Sequence, residues 1–237
     1  MNRFAREDQQ EQTMSHCRKF TILGALGMVA SVLLSASALA DDAGPPYAAC
    51  ETCHGAAGDA PIPGMMAPKL AGLDARYIAK QLHDFKSGRR TFDAMNTLAQ
   101  SLSEADIQAD AEYFAAQMRT PDEVTDKVLA ERGEAIVKHG ILDQTVPACA
   151  NCHNDGATGT FRYPRLAGQK PDYVINQLTH FKSGERHNDF GYMSRVAIRL
   201  TDDEIKAVAE YISGLPFVHE FVPGLQPGVP HPAAPLF

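Results

Sequence analysis

Two pentapeptides constrain this chain more than any other feature. Cys50-Glu51-Thr52-Cys53-His54 and Cys149-Ala150-Asn151-Cys152-His153 both read C-x-x-C-H. That spacing is the signature of covalent c-type haem attachment. Two thiols add across the two vinyl groups on one side of a porphyrin, and one helical turn carries both sulfurs. The next residue, histidine, then supplies the proximal nitrogen to the iron. Other uses of paired cysteines fit less well. Zinc modules place their C-x-x-C pairs about 15 to 20 residues apart, whereas 95 residues separate Cys53 from Cys149. A thioredoxin-like C-x-x-C accompanies a β-α-β pattern, and none is readable here. Two disulfides would not require a histidine after each pair. The sequence therefore predicts two covalently bound haem c groups. Cys50, Cys53, Cys149 and Cys152 hold the porphyrins, and His54 and His153 bind the irons.

The fifth cysteine, Cys17, stands apart from both pairs. Residues 20–40 carry no charge; Arg18 and Lys19 precede them, and Ala-Leu-Ala followed by Asp41 and Asp42 closes them. A basic flank, an apolar run and a small-residue end make a cleaved secretory signal over 1–40. An uncleaved membrane anchor is the alternative reading, since 21 apolar residues can span a bilayer. Cleavage implies an exported protein, expected in the periplasm, that leaves Cys17 behind. It also leaves 18 basic against 26 acidic residues, a net charge of −8. That balance argues against nucleic-acid binding, which needs clustered Lys and Arg. It suits steering toward a basic patch on a protein partner.

The rest of the chain is a repeat. Pro68–Gly88 and Pro164–Gly184 share 11 of 21 residues without gaps, and Met95–Tyr113 and Met193–Tyr211 share eight of 19. The offset drifts from 99 at the haem motifs to 96 and then 98, as two diverged copies with loop indels would show. Boundaries are placed at 41–125 and 126–215, meeting near the polar, proline-bearing Thr120-Pro121-Asp122-Glu123. Residues 216–237 hold six prolines and lie outside the repeat, which predicts an extended tail. Each copy reads as helical. Tyr77, Leu82 and Phe85 recur as Tyr173, Leu178 and Phe181, approximating one helix face. Ser103-x-x-Asp106 and Thr201-x-x-Glu204 are capping boxes that open last helices over 104–117 and 202–213. The second copy has a further helix over 128–139 before its haem motif. The first has only Asp41 to Ala49 there, so its opening helix is short or absent. No run alternates with period two for long enough to form a sheet.

Haem iron needs a sixth ligand or an open site, and the choice separates carriers from catalysts. Met193 is the one methionine of the second copy, 40 residues after His153; Met95 stands 41 residues after His54. Each lies seven residues before the Leu that precedes a capping box. A lone methionine is often core filler, but a matched position in both copies points to ligation by Met95 and Met193. Met65 and Met66 have no counterpart and are read as loop or haem cover. His83, His180, His139, His187, His219 and His231 do not recur in register and are read as surface or capping residues. Lys86 and Lys182 do recur, at helix ends where a cation suits the dipole.

These motifs, together with P-[KR]-L-A-G and Q-L-x-x-F-K-S-G, resemble class I c-type cytochromes. The tandem arrangement is similar to the di-haem cytochrome c4 family, over about residues 45–215. The resemblance implies an all-α fold of two tandem class I cytochrome c domains, each wrapped around one covalently attached haem. It implies His54 with Met95 on one iron and His153 with Met193 on the other. It further implies that the Pro68 and Pro164 carbonyls orient the axial imidazoles. The expected function is single-electron transfer between redox protein partners. The donor would be a quinol-oxidising complex or a dehydrogenase, and the acceptor a terminal oxidase. Two alternatives stand beside it: a cytochrome subunit of a periplasmic dehydrogenase, and a di-haem enzyme such as a thiosulfate dehydrogenase or peroxidase. Membrane association would come through a membrane-bound partner or an uncleaved signal.

Overall fold

The computed structural model describes residues 47–217. The signal assigned to 1–40 and the tail beyond 217 lie outside the described residues. Nine α-helices are described: α1 Ala48–His54, α2 Ala75–Lys86, α3 Asp93–Ser101, α4 Glu104–Ala115, α5 Lys127–His139, α6 Ala150–His153, α7 Pro171–Ser183, α8 Tyr192–Ala197 and α9 Asp202–Gly214. Among the described residues there is no strand beyond one isolated bridge, Ile141 to Val146. The fold is all-α.

Local chemistry sets most helix ends. Both capping boxes form as the sequence predicts. Ser103 and Asp106 exchange side-chain and backbone bonds at the start of α4, and Thr201 and Glu204 do the same for α9. Asp74 and Asp126 cap α2 and α5 through the backbone N–H groups of Arg76 and Leu129. Such caps each contribute about 1 kcal/mol by pairing otherwise orphaned donors. The recurring lysines tie each copy together. Lys86 Nζ donates to the Leu102 carbonyl, and Lys182 Nζ to that of Leu200 at 2.8 Å.

Each copy has its own core. In the first, α2 packs on α3 and α4 around Ile78, Leu82, Ile107 and Phe114. In the second, α7 packs on α8 and α9 around Val174, Leu178, Phe181 and Ile205. The copies differ where the sequence says they should. The second adds α5, which crosses α9. The first has no such helix among the described residues, and the Tyr47 ring stacks on Tyr113 at 3.5 Å instead. The α5–α9 crossing depends on Gly133, where an added Cβ would collide with the Ala207 carbonyl and the Tyr211 side chain. Gly133→Ala gains about 1 kcal/mol of helix propensity. Forced separation of the helices costs about 1–3 kcal/mol, so the melting temperature should fall. An unchanged or raised melting temperature would show that the crossing relaxes freely.

A buried seam joins the copies. Arg119, 3% exposed, donates to the carbonyls of Lys69 and Ala71 on one side and Ala167 on the other. Gln169 and Lys69 exchange bonds across the same seam, with Lys69 N–H to Oε1 at 2.8 Å and Nε2 to the Lys69 carbonyl at 2.9 Å.

Candidate functional site

A cavity of about 1,700 Å³ runs between the helices of both copies. Every candidate haem-binding residue lines it: Cys50, Cys53, His54 and Met95 from one copy, Cys149, Cys152, His153 and Met193 from the other. Cavities that hold one drug-sized molecule span about 300–1,000 Å³, so this volume exceeds a single such site.

The histidines are fixed in the same way in each copy. His54 and His153 end α1 and α6 and are 6% and 5% exposed. Nδ1 of His54 meets the Pro68 carbonyl at 2.8 Å, and Nδ1 of His153 meets the Pro164 carbonyl at 2.8 Å. A carbonyl only accepts, so Nδ1 carries the proton and Nε2 keeps its lone pair. Burial lowers both imidazole pKa values, with the proline carbonyls partly opposing it. Both rings are therefore neutral, the state in which imidazole binds a metal.

The four described cysteines form no disulfide with one another. Burial, aided by Asp110, pushes Cys50 up to about 12, and burial pushes Cys149 up to about 11. Met95 and Met193 are partly buried and pack on the cores of their copies. Met65 and Met66, at 44% and 39% exposure, sit in the loop before Pro68. The donor set suits haem: paired thiols for vinyl groups, a neutral imidazole with a fixed tautomer, and a soft thioether in each copy.

A polar network that the sequence reading missed also lines the cavity. Arg90 donates to Gln81 at 2.8 Å and reaches across to the Tyr173 hydroxyl and Gln177, each at 2.9 Å. Arg186 mirrors it, donating to Gln177 at 2.7 Å, the Tyr77 hydroxyl at 3.1 Å and Gln81 at 3.2 Å. Arg90 stacks over Phe85 as Arg186 does over Phe181. All three polar pairs recur at offset 96, a signal present in the sequence but readable only as a repeated spacing without a partner. Asp84 breaks the symmetry. It is 2% exposed and accepts from Lys80, Arg89 and, across the copies, Asn188. Burial would raise its carboxyl, but those three donors outweigh it and hold it below the usual carboxylate range.

Comparison with known proteins places the chain in a family. The family described as "Cytochrome C oxidase, cbb3-type, subunit III" matches residues 129–212. Cytochrome c4 of Pseudomonas aeruginosa is 41% identical over 172 residues, covering 71% of this chain and 84% of the relative. The crystal structure of reduced recombinant cytochrome c4 from Pseudomonas stutzeri superposes with a TM-score of 0.67 at 37% identity. That match covers 71% of this chain and 94% of the other. A "Thiosulfate dehydrogenase electron acceptor" of Thiomonas intermedia is 37% identical, covering 73% of this chain and 82% of the relative.

Proposed function

The chain belongs to the cytochrome c4 family, carrying two covalently bound haem c groups for electron transfer, and on that premise we propose a periplasmic carrier that passes single electrons toward a terminal oxidase. Haem c, when bound, supplies the one-electron Fe(III)/Fe(II) couple. The chain's own residues do the rest. Cys50 and Cys53, and Cys149 and Cys152, anchor each porphyrin through thioethers. His54 and His153 each offer Nε2 to an iron, with the ring held by a proline carbonyl. Met95 and Met193 would each offer a thioether sulfur to the same irons, and a histidine and methionine pair raises the reduction potential. Apolar walls exclude water and favour the less charged state. Arg90, Arg186 and their tyrosine and glutamine partners hold the copies in one arrangement, so little must reorganise on electron transfer.

The observation that carries this reading is the recurrence in both copies of one buried, carbonyl-oriented histidine and one partly buried methionine on a shared cavity. A methionine available to each iron in addition to the histidine would favour a carrier over an enzyme, which needs an open or displaceable position. A second reading is supported by the Thiomonas relative's name: the electron acceptor of a thiosulfate dehydrogenase. Stopped-flow mixing separates them. The prereduced protein should be reoxidised rapidly by membranes containing a terminal oxidase. If reoxidation is slow, while a thiosulfate dehydrogenase with its substrate reduces the protein rapidly, the second reading replaces the first.

A further inference from the structure

One buried ionisable group on the cavity has no role in the account above. Asp110, in the middle of α4, is 1% exposed and lines the cavity. Its Oδ2 accepts from the Cys50 thiol at 3.8 Å, and its Oδ1 has no partner among the described residues. The corresponding position of the second copy is Val208, part of that copy's apolar core. A polar side chain stands where the repeat tolerates an apolar one.

Haem attachment changes this group's surroundings. When the Cys50 sulfur adds to a vinyl group, an S–C bond forms and the S–H bond breaks. The hydrogen passes to the adjacent vinyl carbon. Cys50 then has no proton to donate, and the carboxyl loses the one hydrogen-bond partner it has among the described residues. A buried carboxylate without partners is costly and tends to hold a proton instead.

The charged groups on this and the neighbouring elements are engaged. On α1, the Glu51 carboxylate accepts from the Tyr113 hydroxyl at 2.8 Å and the Ala57 N–H at 2.7 Å. On α4, Asp106 is held ionised in its capping box by Ser103. From α2, Lys86 is tied to the Leu102 carbonyl, and the residues packed on α4 are apolar, among them Ile78 and Leu82. Burial raises the Asp110 pKa, the Cys50 contact opposes it, and Asp106 one turn away adds to the rise.

We propose that Asp110 takes up one proton from solvent when the haem of the first copy accepts an electron, and releases it on oxidation. The electron comes from the redox donor and the proton from water, so the charge of that pocket is unchanged through the cycle. The second copy, with Val208, has no such coupling. The proposal rests on the reading that Cys50 holds a haem.

The test is a spectroelectrochemical titration of the haem-loaded mature protein across a span of about pH 5 to pH 9. One of the two midpoint potentials should fall with pH, approaching about 59 mV per unit, the one-electron equivalent of a tenfold change. Asp110→Asn should flatten that wave and leave the other unchanged. Asp110→Val, which copies the second repeat, should do the same and serves if the Asn variant does not fold. The infrared redox difference spectrum should contain a protonated-carboxyl band that both variants lose. Two haems per chain with no slope, or with slopes that persist in both variants, would overturn the proposal alone. Fewer than two haems per chain would overturn the underlying reading and the proposal with it.

Discussion

Met95→Ala and Met193→Ala should each remove half of the methionine-to-iron charge-transfer band of the oxidised protein, and the double variant all of it. The affected haem should become high-spin or take up an external ligand, and its potential should fall steeply. Axial-ligand identity moves haem potentials over about 0.8 V. A methionine that merely filled the core would behave otherwise. Its truncation would cost stability, about 2–5 kcal/mol for a fully buried side chain and less for these half-buried ones, and would leave the band intact. The spectrum therefore separates the two roles where a melting curve would not. Met65 supplies the control. It is exposed, has no repeat partner, and Met65→Ala should leave both bands in place. If Met65→Ala abolishes a band that Met95→Ala spares, the ligand assignment of the first copy is wrong.

Arg119→Ala should give the largest loss of stability of any single change at the seam. Its guanidinium is the partner of the Ala71 and Ala167 carbonyls, one on each copy, while the Lys69 carbonyl keeps its bond from Gln169. Orphaning two buried carbonyls costs about 1–3 kcal/mol each. Removing a buried cation gives some of that back, because desolvation of the guanidinium is itself unfavourable. The net expectation is a loss of roughly 3 kcal/mol. Arg119→Met, which keeps the volume, isolates the hydrogen-bond part. Chemical denaturation of the loaded protein measures both. Losses below about 0.5 kcal/mol, the range of ordinary surface substitutions, would show that the seam does not depend on Arg119.

The features legible in the sequence are the ones encoded locally. A haem motif, a capping box and a helix face each need only a few neighbouring residues, so α4 and α9 begin where Ser103 and Thr201 say they do. The repeat extended this reach by pairing Met95 with Met193 without any structure. Its limit appears where two copies meet. Tyr77, Gln81 and Arg90 recur as Tyr173, Gln177 and Arg186, yet the recurrence alone does not say that each arginine crosses to the other copy's tyrosine. Lys86 and Lys182 were legible as helix-end cations, whereas their carbonyl partners came from the following helix junction. Asp110 was hidden for another reason. One carboxylate among the apolar positions of an amphipathic helix reads as an exposed residue until packing closes over it.

Each copy is expected to hold one low-spin haem with histidine and methionine on its iron. The most direct test is the absorption spectrum of the reduced mature protein before and after exposure to carbon monoxide, with haem counted per chain. Two haems and a spectrum unchanged by carbon monoxide are predicted. A high-spin haem that binds carbon monoxide would contradict the claim and place an open iron where a methionine was assigned.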